Sequence, residues 1–333
     1  MKKEKISTIR ISIGTAACIN LIKMKLDAFP TTAYLMLHHD GKCIANCAFC
    51  SQARESGSKS DRLSRIQWPI FDFDTVLDHF NHLDIKNPTK RICIQVLNYR
   101  NFDKDLLYIA KKLRESSDLP ISLSCHPLNE ELLKEFHNLG VDRVGVPFDT
   151  ATKELFYKIK GKGNKGPYTW EKHMKYLQDV KDIFGAKKTT VHLIVGLGES
   201  EYDAIKFIQY FKDRGIITGL FAFTPIKNTK LEKLKKPKYS QYRRVQLARY
   251  LIIHEKSSLE DMKFDNDKII DFGLESNKLN SYILKGEPFY TSGCPNCNRP
   301  FYNERPGKKL YNYPRSLFKE EINQAIKDLG DYS

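Results

Sequence analysis

From residue 31 onward, short apolar runs alternate with stretches whose apolar residues recur at helical spacing. TAYLMLHH (32–39), RICIQVLN (91–98), PISLSC (120–125), DRVGVPFD (142–149), TTVHLIVGLG (189–198) and TGLFAFTP (218–225) read as six strands, each rich in β-branched or aromatic residues and closed by turn formers. Helical patterns separate them, with punctuation where helices begin and end. Asn129 is placed to cap a helix whose Leu132, Leu133, Phe136 and Leu139 share a face, and Gly140 stops it. Ser200 and Asp203 form a capping-box pattern ahead of Ile205, Ile208 and Phe211, and Gly215 ends that helix. Strands alternating with helices in this way predict an α/β fold whose parallel sheet is joined by right-handed crossovers. Its near-continuous apolar strands suit a sheet covered by helices, as in a partial or full TIM-type (βα) barrel. Chemistry is then expected at the C-terminal ends of the strands.

The barrel pattern spans residues 31–256, ending in a long helix over SQYRRVQLARYLIIHEK (240–256). Residues 1–30 read as an N-terminal helical extension. They begin with basic residues and a modestly apolar stretch, but Ser12, Thr15 and Asn20 interrupt it and no small-x-small cleavage site follows, so the segment is expected to stay in the mature chain. Residues 257–333 form a C-terminal region, with the only soft boundary near 257–266. Its GEPFYTSGCPNCNRPFYNERPG is rich in Gly, Pro and aromatics and reads as a cap folded over something.

Composition narrows the class. At 41% hydrophobic residues a 333-residue chain can fill a core, and no apolar run reaches the 18 residues of a spanning helix, so no membrane is expected as a partner. The formal charge of +15 implies an acidic partner, or lysine-rich solvated helix faces. Eight cysteines are too sparse for a disulfide scaffold and their spacing is that of metal sites, so a cytoplasmic location fits best.

Cys43, Cys47 and Cys50 stand at C-x3-C-x2-C just after the first strand. Three thiolates so spaced can hold three irons of a cubane and leave the fourth iron open to a small chelating molecule. A zinc knuckle borrowing a distant ligand is the plainer alternative. The loop, set in repeated βα units, resembles the radical S-adenosylmethionine (SAM) superfamily, in which SAM fills the open iron of a [4Fe-4S] cluster and is cleaved to a 5′-deoxyadenosyl radical. The resemblance implies contacts to that cofactor from Phe49, which precedes Cys50, and from Gly196, Gly198 and Glu199 of GLGES. Asp149, at the end of the fourth strand, is suited to ribose hydroxyls or to capping a helix; Gln52 and Asn98 lie in strand-end loops and are further candidates for the cofactor site.

A second set of cysteines remains. Alternation puts Cys93 and Gln95 on one face of their strand, opposite Ile92 and Ile94, and Cys125 ends the neighbouring strand. With Cys294 and Cys297 of the tail these make four thiols, enough for an auxiliary iron-sulfur cluster, [4Fe-4S] being the expected type. The alternatives are two small buried hydrophobes in the barrel and a zinc or disulfide turn in the tail. Cys18 reads as packing, His192 as an inward barrel histidine, and Ile121 and Leu123 as inward apolar residues. Lys158, Lys160, Lys162 and Lys165 of YKIKGKGNKGPY are candidates for a basic rim.

Over residues 31–231 the chain resembles biotin synthase, in the loop ending CSQ, Cys93, Cys125, FDT at 148–150, IVGLGE at 194–199 and TPIKNTKL at 224–231. It departs at Thr190, where that family has a third cluster cysteine, and at Pro147, where it has an asparagine, and no counterpart of its arginine cluster ligand is evident. Including STIRISIGTA, KLDAFPTTAYLM, SQARESGSKSDRLSR and CPNCNRPFYNERPG, the chain is similar to the archaeal-type lipoyl synthases, which work in pairs. That resemblance implies hydrogen abstraction from an octanoyl chain on a lipoyl carrier protein or domain, and attack of the carbon radical on a sulfide of the auxiliary cluster. It also implies a companion lipoyl synthase component and an electron donor such as ferredoxin. The rival classes are biotin synthase itself, a tRNA methylthiotransferase, disfavoured because no appended RNA-binding module is evident, and a non-catalytic iron-sulfur or zinc protein.

Overall fold

The structure, a computed structural model, describes residues 6–330. It opens with β1 (Thr8–Ile11), α1 (Ile13–Cys18), β2 (Ala33–Met36), the small hairpin β3 (Arg62–Leu63) and β4 (Ile66–Gln67), then β5 (Ile70–Asp72) and α2 (Phe73–Asn81). The repeating part continues through β6 (Ile92–Gln95), α3 (Phe102–Ser116), β7 (Ile121–Ser124), α4 (Glu130–Asn138), β8 (Val141–Asp149), α5 (Lys153–Ile159) and α6 (Trp170–Phe184). It closes with β9 (Thr189–Val195), α7 (Glu201–Lys212), β10 (Ile217–Ala222) and α8 (Tyr239–Ile253). The C-terminal region adds the hairpin β11 (Lys263–Asp265) and β12 (Lys268–Asp271), then α9 (Ser276–Leu284) and α10 (Lys319–Leu329).

The main sheet has eight strands in the order β10-β9-β8-β7-β6-β2-β1-β5. From β2 to β10 every pairing is parallel, as the strand-helix alternation predicts, while β1 runs antiparallel to both its neighbours. The sheet is open, so the barrel is partial. Buried apolar side chains of α2, α3, α4, α6 and α7 pack on its outer face: Val76, Ile109, Phe136, Val180 and Ile208 are all fully buried. The predicted caps form as read: Asn129 accepts from the Leu132 amide at 2.8 Å, and Ser200 and Asp203 make a reciprocal capping box.

The N-terminal segment differs from the expected helix. Thr8–Ile11 is a strand, and only Ile13–Cys18 is helical; residues 1–5 of the expected extension lie outside the described residues. TIRI is β-branched at three of its four positions, and β2 offers an open edge, so strand pairing (Arg10 with Met36, Ile11 with Leu35) wins over a short helix. Cys18 is buried in packing, its thiol within 3.6 Å of the Thr89 hydroxyl.

The soft boundary near 257–266 leads into a hairpin pinned to α7. Buried Glu201 accepts two hydrogen bonds from Arg244 Nε and one from its Nη2 at 2.5 Å, and also takes the Ile269 amide at 3.0 Å. Arg244 Nη1 donates to the Leu329 carbonyl at 2.9 Å, so one buried ion pair joins α7, α8, β12 and α10. Removing one member leaves a desolvated charge without a counter-ion. Glu201→Ala is expected to lower stability by about 3–5 kcal/mol, read as a shifted denaturant midpoint of the full chain, whereas Glu130→Ala, at an exposed ion pair, should leave the midpoint essentially where it is.

Candidate active site

The strand ends build one cavity. Period-two alternation aligns Tyr34, Cys93 and Ser122 on neighbouring strands, and Gln95 beside Ser124, all lining its wall. Gly145, Pro147 and Asp149 of β8, His192 and Ile194 of β9 and Phe221 of β10 continue the wall. The loop after β2 brings in Cys43, Cys47 and Cys50.

That loop is held by backbone bonds rather than by regular structure. The Cys43 amide donates to Gln52 O at 2.9 Å, the Ile44 amide to Asn98 O at 2.8 Å, and the Ala48 amide to Ile159 O at 3.0 Å. Burial pushes all three thiols above their ordinary pKa, Cys50 to about 12, with neighbouring thiols adding to the rise for Cys47 and Cys50. Thiols that resist ionisation when empty become thiolates once a cation is supplied. Among the described residues, no three His, Cys, Asp or Glu side chains converge as closely as a single metal ion requires. A cubane asks only that each thiol reach its own iron.

Asp149 sits in the left-handed region at φ +67° and lines the cavity. Its Oδ2 takes a hydrogen bond from Lys160 Nζ at 2.6 Å. Lys160, grouped above with the rim lysines, is instead fully buried; it also donates to Pro147 O and lies beside the Phe156 and Tyr168 rings. Only the carboxylate could hold a lysine there, so the pair explains both the burial and the aspartate's fixed orientation. Phe49 and Gln52 also line the cavity, and the Gln52 amide donates to Ser60 O at 2.9 Å. Asn98, Gly196, Gly198 and Glu199 lie outside its lining. Asn98 Nδ2 donates to the Tyr168 hydroxyl at 2.9 Å, and the Glu199 carboxylate accepts the Gly196 and Leu197 amides at 2.6 and 3.0 Å, holding the turn into α7.

The second set of thiols is only partly as expected. Cys93, Cys294 and Cys297 line the same cavity; burial first, and then the neighbouring thiols, push the pKa of Cys93 and Cys294 up, while Arg91 and Arg143 act on Cys294 in the opposite sense. Cys125 does not join them. It is fully buried on the helix side of β7, its Sγ 3.0 Å from the Tyr176 hydroxyl of α6. Cys125 and Ile121 stay outside the cavity lining, whereas Leu123 belongs to it together with Ser122 and Ser124.

Arg299 enters where the sequence showed no arginine. Its Nη1 lies 3.2 Å from Cys297 Sγ, its Nη2 donates to Ser292 O at 2.8 Å, and its backbone amide donates to the Tyr34 hydroxyl at 2.9 Å. C-x2-C-x-R in CPNCNR was the available signal. His192 faces the cavity edge-on to Phe221, and burial lowers its pKa to about 4, keeping it neutral.

Comparison places this geometry in a family. The sequence model of the Radical SAM superfamily matches residues 38–211, just over half of the chain, and the protein belongs to that superfamily. Curated relatives named biotin synthase are similar at low identity. That of Clostridium acetobutylicum is 25% identical over 59% of this chain and 57% of its own, and that of Methanococcus aeolicus is 28% identical over 58% and 56%. The chain thus spans little more than half the length of these two; the biotin synthase of Acinetobacter calcoaceticus is 23% identical over 76% and 74%. Among solved structures, methylornithine synthase (PylB) aligns over 96% of this chain and 88% of its own with a TM-score of 0.51 at 12% identity. The FeFe-hydrogenase maturase HydG from Carboxydothermus hydrogenoformans aligns over 88% and 65% with a TM-score of 0.50 at 15% identity. These two likenesses concern the fold. The protein is a radical SAM enzyme, and the family implies a [4Fe-4S] cluster with SAM. The donor set fits: three soft ligands on one loop face a cavity that Asp149 also lines, close enough to act on Cys47 and Cys50.

Cys125→Ala is expected to leave iron per chain unchanged after anaerobic reconstitution and to cost about 1–3 kcal/mol through the lost Tyr176 contact. If Cys93, Cys294 and Cys297 hold a second cluster, Cys93→Ala, measured in the same way, should lose about half of the iron.

Proposed function

We propose that the protein is a sulfur-insertion enzyme of the lipoyl synthase kind, attaching sulfur to an aliphatic carbon of a protein-bound octanoyl chain with an auxiliary iron-sulfur cluster as the sulfur source. One observation carries this reading: a second group of thiols, Cys93, Cys294 and Cys297 with Arg299, lines the same cavity as the three loop cysteines. Two thiol groups facing one space suit a reaction in which a carbon is activated at one and sulfurised at the other. The resemblance to biotin synthase supports the same chemistry. Where that family has a third barrel cysteine, Cys294 Sγ lies 3.7 Å from the Thr190 hydroxyl, and Arg299, 3.2 Å from Cys297 Sγ, is a candidate for the arginine that the barrel sequence lacked.

When bound, the first cluster and SAM supply a carbon-centred radical, and the auxiliary cluster supplies sulfide. The chain's own residues do the rest. Cys43, Cys47 and Cys50 would hold the first cluster, Phe49 and Asp149 would border the cofactor's space, and buried Lys160 fixes Asp149. Arg91, Arg143 and Arg299 offset the negative charge that thiolates bring to a buried site. An apolar surround of Val96, Ile194, Phe223 and Ile226 limits water, which protects a radical from quenching. The partners that follow are an octanoylated carrier, a companion lipoyl synthase component and an acidic electron donor such as ferredoxin, for which a formal charge of +15 is suited. A cytoplasmic setting suits oxygen-sensitive clusters, and among the described residues no helix is long and apolar enough to cross a membrane. The curated relatives' name favours dethiobiotin insertion as the second reading.

Product mass decides between them. Anaerobically reconstituted protein is expected to carry about eight irons per chain and to add sulfur to an octanoyl-lysyl carrier peptide rather than to dethiobiotin. Iron of about four with no thiolated product would refute the proposal. Cys294→Ala should still cleave SAM yet yield no sulfurated product; unchanged product would remove the tail from the chemistry.

A further inference from the structure

A second cavity opens to the surface between three segments that belong to none of the βα units: residues 12–30, the β3–β4 hairpin and residues 299–306. Tyr34, Trp68, Arg299 and Tyr302 line both this cavity and the thiol-lined one, so the two spaces meet at a single layer of side chains. Three features of the second cavity point to a ligand. Its walls are largely apolar, with Ile13, Leu26, Ile66 and Phe301. Its outer lining carries exposed Lys25, Arg62 and Arg305 against Asp27. At its inner end Trp68 is 1% exposed, and its indole N–H has no hydrogen-bond partner. A buried donor left unpaired is costly, and a small turn of the indole toward the cavity would let a ligand's carbonyl oxygen satisfy it.

We propose that this cavity is the passage by which an acylated substrate reaches the thiols. The lysyl stem that links the chain to its carrier lies along the apolar wall, the amide carbonyl sits at Trp68, and the aliphatic chain crosses the shared layer with its free end toward Cys93, Cys294 and Cys297. The acidic carrier bearing the chain stays outside, against Lys25, Arg62 and Arg305. The inference rests on the sulfur-insertion reading for the nature of the chain, whereas the passage itself follows from the shared wall, the unpaired donor and the sign of the rim.

Gly14 provides a plug. It lines the second cavity, and a Cβ there would meet only Pro30 Cγ, at 3.9 Å, so Gly14→Leu extends into the passage without backbone strain. In the reconstituted full chain, Gly14→Leu is expected to raise KM for an acidic octanoyl-lysyl peptide about tenfold, with iron content and substrate-free SAM cleavage unchanged. Arg62→Glu combined with Arg305→Glu should raise KM about tenfold for the acidic peptide and leave a neutral-flanked peptide unaffected. The same peptide carrying a photoreactive diazirine on its acyl chain should label Trp68, Phe301 or Tyr302. Labelling there without any sulfurated product would sustain the passage and overturn the sulfur-insertion reading. Product formed at wild-type KM by both variants, with label elsewhere, would overturn the passage and leave that reading standing. A peptide that neither binds nor reacts overturns both.

Discussion

An open parallel sheet ends in a strand whose amides and carbonyls have no neighbour, and the rest of the site depends on how β10 meets that constraint. Among the described residues no further strand covers it. Side chains of residues 291–304 do: Ser292 Oγ accepts the Leu220 amide at 2.8 Å, Asn303 Nδ2 donates to Ala222 O at 2.7 Å, and Arg299 donates to Leu220 O at 3.1 Å. The same segment reaches the other side of the opening, where the Thr31 amide donates to Asn298 Oδ1 at 3.0 Å and the Thr31 and Thr32 hydroxyls donate to Asn296 O at 2.7 Å. Gly219 permits this approach, since a Cβ there would stand 3.4 Å from Gly293 Cα. Covering the edge is therefore what carries Cys294 and Cys297 to Cys93.

The electrostatics of the cavity follow from that closure. With the segment in place, six thiols face a space of low polarity, and burial is the leading cause of the raised pKa for Cys43, Cys47, Cys50, Cys93 and Cys294. The two thiol groups are served by different cations. Lys160 acts on the loop cysteines from beneath Asp149, and Arg91, Arg143 and Arg299 surround the second group. Each cation is buried or half-buried and held by a carboxylate or carbonyl, as a fixed charge in a low-dielectric site must be. Two negatively charged clusters could thus share one cavity without relying on solvent to screen them, which is the physical content of the proposed sulfur transfer.

Much of the scaffold was legible. Runs such as RICIQVLN and TTVHLIV announce strands because β-branched residues fit a sheet buried on both faces, and Asn129 and Ser200 announce helix starts because their side chains answer free amides. The loop cysteines were legible because their spacing is itself a ligand geometry. Cys125 was misread because composition does not reveal parity: one residue past the end of β7 decides whether a thiol faces the cavity or α6. Thr8–Ile11 was misread because a short segment takes the structure its neighbour offers, here the open edge of β2. Lys160 was misread because its burial depends on a carboxylate eleven residues earlier in the chain.

By itself, then, the sequence determined the properties that live in local pattern: the alternating βα framework, the caps, and three thiols spaced to hold a cluster with one open corner. Tertiary structure decided which of the remaining thiols share a space, that an arginine two residues beyond Cys297 stands with them, and that a basic-rimmed passage leads to the same wall. The division has a physical cause. Local spacing sets which atoms can meet within one turn or loop, but contacts such as Thr190 with Cys294, 104 residues apart, exist only because an unpaired sheet edge recruits the C-terminal segment to satisfy it.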